Sequence, residues 1–219
     1  MGKSKIIVAA LGVLMMGASQ SHATDWEGFY AGLETGVGLG TSHIYDASVS
    51  SGFQDYNTSF GASGLFAGVV AGWNKQNGKY VWGVEADGEF NGLSGDNPKW
   101  PWGTDSTANV DFSGSLRLRG GVTIGNALVY VAGGLTLADM KADFYDTGNR
   151  HDAFQGLTVG WTAGAGIDYA VANDWTIGTE FRYTDYGSLK GQTITTDSGW
   201  YETNNLKDVS LRLSLKKKL

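Results

Sequence analysis

Acidic and basic side chains recur at every second position in two segments of this chain. Glu85, Asp87 and Glu89 lie two residues apart, as do Arg117 and Arg119. Carboxylates grouped in this way could act as general acid and base, bind a metal ion or pair with cations. Successive side chains of a β-strand point to opposite faces, so the spacing predicts two strands that each carry charges on one face. If the two strands are neighbours, their charges should pair.

The same alternation extends the charged set to other segments. The residues predicted to face inward are Glu34, Glu85, Asp87, Glu89, Asp111, Arg117, Arg119, Asp168, Glu180, Arg182 and Arg212. The interior of an eight-stranded barrel is just wide enough for side chains to fill, and buried charges must pair. We therefore favour a structural ion-pair network over a catalytic or metal site, and we expect Glu85 and Asp87 to pair with Arg117 and Arg119.

Histidine gives little support for catalysis or for cofactor binding. His43 and His151 both fall in predicted loops, and neither belongs to a Ser/His/acid arrangement. The two could bind haem iron if their loops converged, although exposed loop histidines usually bind nothing. We expect a protein that is not an enzyme and that has no cofactor.

The element that organises these charges is a long β-hairpin over residues 157–186. Large residues alternate with Gly and Thr in its first arm, and Trp175, Ile177, Thr179, Phe181 and Tyr183 alternate with small or charged residues in its second. The opposite face is too small and too polar to form the apolar core of a soluble sheet. The large face therefore requires another apolar phase, and a lipid bilayer around a narrow polar interior fits this pattern.

Six further strands follow from the same period, at residues 29–40, 63–73, 80–90, 110–122, 127–138 and 206–219. Three tight turns alternate with four long polar loops, predicted at residues 41–59, 91–108, 139–154 and 187–205. This predicts an all-β fold, an eight-stranded antiparallel up-and-down transmembrane β-barrel. The main alternative is a soluble lipocalin-like barrel, which would need large residues inside. The fifth strand is apolar on both faces, and we place Leu128, Tyr130, Ala132 and Thr136 outward.

Aromatic residues are abundant, with 8 Trp, 10 Tyr and 9 Phe among 219 residues, and they require burial or lipid. Aromatic side chains gather at the two membrane interfaces of a transmembrane barrel. The predicted interface residues are Trp73, Trp82, Tyr130, Trp161, Tyr169, Trp175, Phe181 and Tyr183. The predicted loops hold more, which form either a cover over the barrel mouth or a contact patch for a partner: Tyr45, Phe53, Tyr56, Trp100, Trp102, Phe144, Tyr145, Trp200 and Tyr201.

The N-terminus has the layout of a secretory signal peptide. Lys3 and Lys5 precede an apolar run from Ile6 to Met16, and small residues end at Ala23. We expect residues 1–23 to be removed after export through the Sec pathway, leaving a barrel domain of residues 24–219. A membrane anchor is the alternative, but the run is shorter than the ~20 residues needed to span a bilayer. The remaining chain has 14 basic and 22 acidic residues, and no basic stripe indicates nucleic acid.

Several segments carry a family likeness over essentially the whole predicted barrel. They are WEGFYAGLETGVG, YVWGVEADGEF, SLRLRGG, GWTAGAGIDYA and EFRYTDYG. Together they resemble the Omp25/Omp31-type small outer-membrane proteins of alphaproteobacteria, within the OmpA-like eight-stranded barrels. The resemblance implies an abundant outer-membrane surface protein whose loops act as antigens or contact surfaces. Such barrels usually end on an aromatic residue, whereas this chain ends on Leu219 after Lys216, Lys217 and Lys218, and Lys217 falls on the lipid face.

The expected function is that of a structural protein of the outer membrane of a Gram-negative bacterium, with surface-exposed loops. Two alternatives stay open. One is a small pore that prefers cations, because the predicted interior has more acids than arginines, and the other is a receptor or adhesin that acts through its loops, including haemin binding. The expected partners are outer-membrane lipid and lipopolysaccharide, the barrel-assembly machinery, and a host or neighbouring surface protein.

Overall fold

A computed structural model describes residues 25–47, 56–97, 105–145, 151–172, 174–192 and 201–219. They form eight strands: β1 Gly28–Ala47, β2 Tyr56–Asn77, β3 Tyr80–Asn97, β4 Asp105–Ile124, β5 Ala127–Tyr145, β6 His151–Ala172, β7 Trp175–Gln192 and β8 Tyr201–Lys218. Each strand pairs antiparallel with the next, and β8 pairs with β1, so the barrel is closed. The predicted eight-stranded fold is confirmed. None of the described residues forms an apolar helix long enough to cross a membrane.

Tight turns join the strands at one end of the barrel. Gly78 and Gly125 adopt the left-handed backbone region, with φ of 60° and 59°, and Asp174 does so with φ of 67°. Glycine enters this region at no steric cost, and Asp tolerates it better than most residues. The three short turns therefore occur where the sequence predicted them, and they define the end of the barrel that also holds both chain termini of the described region.

Large apolar side chains cover the outside of the barrel next to these turns. Leu65, Phe90, Leu118 and Leu157 keep 70–76% of their accessible surface exposed, and similar residues occupy every strand. A continuous exposed apolar band of this kind requires lipid around it. The predicted outward phase is correct for β1, β2, β3, β6, β7 and β8.

The strands continue well past the predicted ends, and this corrects the four loop assignments. The strands around the first predicted loop, for example, extend to Ala47 and back to Tyr56. In these extensions the pattern reverses, because polar residues face outward and apolar residues face inward. The inward residues form a core of Ala62, Leu93, Val110, Ala138, Met140, Ala142, Tyr186, Leu189 and Leu206. We call this cluster the outer core. The inward apolar residues of these extensions are the reverse of the outward apolar pattern that predicts lipid-facing strands.

The predicted phase of β5 is wrong. Leu128, Tyr130, Ala132 and Thr136 are all buried inside the barrel. The outward positions are instead Val129, Val131, Leu135 and Leu137, which lie in the exposed apolar band. Both sets are apolar, so alternation could not distinguish them. The inward set is needed because the lumen next to β5 contains carboxylates that a tyrosine hydroxyl can bind.

Candidate functional site: the charged lumen

Ten of the eleven predicted inward charges lie in the middle of the barrel. The side chains of Glu85, Glu89 and Arg117 retain only 1% of their accessible surface, and Arg182 retains 2%. They come from six of the eight strands, β1, β3, β4, β6, β7 and β8, because each strand places every second residue inward. Because the strands close into a ring, the inward side chains of all six strands meet in one cluster. We call this cluster the lumen network.

Arg117 on β4 is the centre of the lumen network. Its guanidinium contacts Glu85 on β3 through Nη2, Glu180 on β7 at 2.6 Å through Nη1, and Asp87 at 3.6 Å through Nε. Glu85 lies directly opposite Arg117 in the β3–β4 register, as expected from the sequence. The contact with Glu180 spans the lumen, from one wall to the other. One side chain therefore ties three strands together.

Two more arginines continue the network toward the outer end. Arg182 approaches Glu180 at 2.6 Å, Asp87 at 3.2 Å and Glu89 at 3.3 Å. Arg212 on β8 binds Glu89 through both terminal nitrogens and lies 3.4 Å from Glu34 on β1. Planar guanidinium groups with several donors suit this kind of shared contact. Each carboxylate here has at least one arginine partner.

A third group closes the network near the turns. Arg119 contacts Asp168 at 2.8 Å and Glu85 at 3.0 Å, and Lys216 contacts the same two residues at 3.0 and 3.5 Å. Lys216 was not predicted, because it lies within a run of three lysines at the chain end. The signal was available, since Lys216 is two residues after Ser214 and four after Arg212, on the inward phase of β8.

Two tyrosines bind this charged cluster from inside the wall. The Tyr30 hydroxyl donates to Glu85 at 2.7 Å, and the Tyr130 hydroxyl donates to Glu180 at 2.9 Å. The Arg119 guanidinium carbon lies 4.0 Å from the Tyr130 ring centroid, which is a cation–π contact. Tyr130 was predicted to lie at the lipid interface, and this is wrong. It is an inward residue that supports the lumen network.

Glycine makes room for the rings of Tyr30 and Tyr130. Gly72 lies opposite Tyr30, and Gly166 lies opposite Tyr130 in the strand register. A Cβ atom on Gly72 would lie 2.3 Å from the Tyr30 hydroxyl oxygen, and one on Gly166 would lie 2.6 Å from that of Tyr130. Neither distance is possible without a shift of the ring or of the wall. Gly72 and Gly166 are thus the sites into which the two tyrosine side chains fit.

Asp111 was predicted to face inward, and this is also wrong. The β4–β5 register shifts between Val110 and Phe112, so the extra residue Asp111 turns outward while Val110 turns into the outer core. Asp111 pairs with Lys141 on the outside of β5, and both side chains are exposed. A β-bulge inserts one unpaired residue and changes the phase that follows it. A strict period of two cannot reveal such an insertion.

The other predicted interface aromatics face outward. Trp73 and Trp82 meet edge to face with ring centroids 5.6 Å apart, and Trp161 and Tyr183 lie 5.2 Å apart. Tyr169, Trp175 and Phe181 are also exposed on the outer surface. Lys217 lies on the same surface, as expected, with its ammonium 5.7 Å from the Trp175 ring centroid.

The lumen network lies between two apolar clusters. The outer core lies above it, and Trp26, Val81, Leu128, Tyr130 and Ala132 form a second cluster next to the turns. Below them a cavity of about 470 Å³ opens at the turn end and reaches Tyr30, Arg119 and Lys216. A void of only about 10 Å³ lies farther in, among Asp87, Glu89 and several hydroxyl groups. That is about the volume one water needs.

Three carboxylates are close enough to hold a metal ion, but their contacts favour arginine. Oxygen atoms of Glu34, Asp87 and Glu89 lie within 4.8 Å of one another. Each of these residues also contacts Arg182 or Arg212. The cations that balance the group are therefore already supplied by the chain.

The two histidines belong to strands that are not neighbours. His43 lies within β1 and not in a loop, faces outward and shares a hydrogen bond of 2.7 Å with Ser59. The backbone of His151 begins β6, which β7 and β8 separate from β1 on the described ring. The side chain of His151 lies outside the described residues, as do those of the predicted loop aromatics, and the predicted signal peptide lies outside them as well.

Two ion pairs lie at the end of the barrel beside the tight turns. Lys75 binds Glu27 at 2.6 Å, and Lys218 binds Asp25 at 2.7 Å. The hydrogen bond from Lys75 holds the pKa of the Glu27 carboxyl below its usual value, and the bond from Lys218 does the same for the pKa of Asp25. The two contacts attach the segment before β1 to β2 and β8.

Comparison with known proteins gives consistent matches. Residues 6–208 match the family model described as outer membrane protein beta-barrel domain. The 31 kDa outer-membrane immunogenic protein of Brucella melitensis is 32% identical over 204 residues, covering 88% of this chain and 84% of that protein. The 22 kDa outer membrane protein of Rhizobium leguminosarum bv. viciae is 32% identical over 193 residues, covering 84% and 76%.

A solved structure supports the fold independently. The outer membrane protease OmpT of Escherichia coli matches with a TM-score of 0.53 and 10% identity, covering 87% of this chain and 96% of that one. Identity this low carries no information on activity. The similar curated proteins are named as outer-membrane proteins and indicate no catalytic family.

Proposed function

Because this chain belongs to the outer-membrane protein β-barrel family, we propose that it is a structural, non-enzymatic barrel with a closed lumen, which carries its loops on the cell surface. The outer-membrane location and the likeness to the Omp25/Omp31-type proteins are confirmed by the relatives. The closed lumen and the absence of catalysis are the proposed part. Each has its own structural support.

The observation that carries the proposal is the filling of the lumen, in three layers, beyond the cavity that opens at the turn end. Apolar residues next to the turns, the lumen network in the middle and the outer core above it are each almost free of solvent contact; Leu128, Arg117 and Met140, one from each layer, are exposed by 0–1%. A conducting pore needs a continuous water path. Ion pairs that span the lumen, such as Arg117 with Glu180, occupy the space such a path would need.

The described charges also argue against catalysis. The carboxylates of the lumen network all contact arginine or lysine. His43 and Ser59 have the separation of a base and a nucleophile, but their described contacts include no carboxylate that would orient the histidine. The pair lies between two neighbouring strands on an exposed surface. It is better explained as a cross-strand hydrogen bond.

Planar-bilayer recording of the refolded chain tests the closed lumen. Heat-modifiable gel mobility first establishes that the barrel is folded. We expect no steady conductance from folded barrels. A steady, cation-selective conductance would overturn the proposal and favour the small pore.

A receptor role through the loops is the second candidate, and the length of the strands favours it. The strand extensions carry the loops away from the lipid-facing band on a wall that has its own core. Binding of haemin or of host matrix protein by the refolded chain is the test. Binding that is lost when one loop is replaced by a Gly/Ser linker would support this role, and its absence would leave the structural role alone.

A further inference from the structure

The lumen network contains more carboxylates than cations. Among the described residues, the buried basic side chains are Arg117, Arg119, Arg182, Arg212 and Lys216. The carboxylates of the network are Glu34, Glu85, Asp87, Glu89, Asp168 and Glu180. Six acids therefore face five cations, and Asp208, which is buried and hydrogen-bonded to Tyr186 of the outer core, only increases the excess. The arginines beside Glu34 do not remove this excess, because Arg182 is shared with Glu180.

An unmatched charge is costly at this depth in the barrel. Glu34 exposes 7% of its surface, and the neighbouring Leu33 is 65% exposed on the outside, within the lipid-facing band. An ionised carboxylate that is removed from water without a counter-ion takes up a proton and becomes neutral. One bound proton brings the acids and the cations of the network into balance.

Glu34 has the longest ion-pair contact of the six acids. Its Oε1 lies 3.4 Å from Nη1 of Arg212, whereas each of the other five acids has a cationic nitrogen within 3.2 Å. Arg212 itself approaches Glu89 more closely, through both terminal nitrogens. An ionised Glu34 would therefore be the least compensated carboxylate of the network.

Glu34 is also in contact with another acid. Its carboxyl group is hydrogen-bonded to Glu89, and oxygen atoms of Glu34, Asp87 and Glu89 lie within 4.8 Å of one another. Ionised carboxylates only accept hydrogen bonds, so a bond between two of them requires a proton on one. Glu89 already accepts from Arg182 and Arg212 and is therefore the ionised partner. The donor is Glu34.

The surroundings of Glu34 favour a proton over a metal ion. The charged groups that face it are Arg212 on β8, Asp87 and Glu89 on β3, and Arg182 on β7. The residues opposite Glu34 in the two neighbouring strands, Gly68 and Ser214, carry no charge. Ca²⁺ takes about six to eight oxygen ligands and Mg²⁺ about six. The oxygens of Asp87 and Glu89 already bind arginine and Ser115, so they cannot complete such a shell.

We propose that Glu34 is a proton-binding site of the lumen, which holds a proton at neutral pH and donates it in a hydrogen bond to Glu89. Loss of this proton at alkaline pH leaves two adjacent carboxylates that repel each other, and it removes the contact between β1 and β3. The packing of the lumen is thereby linked to pH. The inference rests on the proposed closed lumen, because water in the lumen would hydrate the ionised form of Glu34.

Infrared spectroscopy of the refolded chain tests the proton directly. A protonated carboxyl group has a C=O stretching band that is distinct from the bands of ionised carboxylates and shifts in D₂O. The chain is refolded in a detergent without ester groups, and gel mobility establishes that it is folded. We expect a band equivalent to one carboxyl group per chain at neutral pH, which disappears as the pH is raised. The absence of this band from the folded native chain would overturn the proposal, whether or not any variant folds.

Substitutions assign the band to one residue. Glu34→Gln should remove it, because the amide can still donate to Glu89 but has no ionisable proton. Glu27→Gln is the matched control, since Glu27 is an exposed glutamate that is paired with Lys75, and this variant should keep the band. A band that persists in Glu34→Gln and disappears in Asp208→Asn would place the proton on Asp208 and would contradict the assignment to Glu34.

Urea titration as a function of pH gives a second readout. Between about pH 4.3, the ordinary pKa of glutamate, and the pH at which the band disappears, the folded chain should bind one proton more than the unfolded chain. The urea midpoint of the native chain should therefore fall over this range relative to that of Glu34→Gln, and parallel curves would contradict the proposal. Planar-bilayer recording separates the two proposals, because a missing band in a barrel that does not conduct counts against the proton site alone.

Discussion

Removal of the Arg117 side chain should destabilise the barrel more than any exposed ion pair can. In Arg117→Met, Glu85, Glu180 and Asp87 all lose a cationic partner inside the wall. Truncation of one partner of an isolated buried pair costs about 3–5 kcal/mol. Here Glu85 keeps Arg119 and Lys216, and Glu180 and Asp87 keep Arg182, so we expect a loss near the lower end of that range. Methionine retains part of the arginine volume, so the loss reports on charge more than on a cavity.

The free energy of unfolding is measured from urea titrations of the refolded chain, with folded and unfolded bands separated by gel mobility. The slope m should be unchanged, since the surface exposed on unfolding hardly changes. Lys141→Met is the matched control, because it removes an exposed cation from an ion pair and should cost at most about 1 kcal/mol.

A second substitution shows whether the cost comes from the carboxylates that lose their contact with Arg117. Adding Glu85→Gln to Arg117→Met removes one of them, and the double variant should recover part of the lost stability. The coupling free energy from this cycle should be well above 1 kcal/mol, as for residues in direct contact. If Arg117→Met lost less than 1 kcal/mol, or if the two substitutions were additive, the lumen network would not be a source of stability.

Three further changes test other layers of the barrel by the same urea titration. Tyr130→Phe removes the hydroxyl that donates to Glu180 and should lower the free energy of unfolding by about 1–3 kcal/mol. An unchanged free energy of unfolding would mean that Tyr130 faces lipid and not the lumen. Gly166→Ala should cost about 1–3 kcal/mol through overpacking against Tyr130, whereas Gly120→Ala, with open space around its Cβ, should be nearly neutral; similar values would contradict the fit of ring and glycine. Met140→Ala should cost about 2–5 kcal/mol, because Met140 is fully buried in the outer core, and a neutral result would mean that the strand extensions are not packed.

The sequence contained enough information for the fold and for most of the lumen network. Strands with glycine and charged residues on one face and large residues on the other fit only a few folds, because the large face must meet an apolar phase. The pairing of Glu85 with Arg117 followed from their central positions in two consecutive strands. Where both faces of a strand are apolar, as in β5, the period is intact but its phase is undetermined. Tyr130 was therefore misplaced even though its strand was found.

The remaining errors concern residues that depart from a period of two or from the pattern of outward-facing apolar residues. Asp111 occupies a bulge, which adds a residue that a period of two does not allow. Lys216 looked like part of a terminal basic run and not like an alternating inward position. The strand extensions reverse the membrane pattern because water surrounds them, so their apolar residues turn inward as in any soluble protein. Along one strand, apolar residues thus face outward in the part surrounded by lipid and inward in the part surrounded by water.

The length of the strands sets the geometry of contact with the outside. A strand of 22 residues such as β6 extends about 70 Å, or about 55 Å in height at the usual tilt, against an apolar band of about 25 Å. The loops therefore join strand extensions that continue beyond the bilayer and are packed around the outer core. Because these extensions separate the loops from the lipid-facing band, loop sequences can change without altering the residues that contact lipid. Variation at the cell surface and insertion into the membrane therefore depend on different parts of the chain.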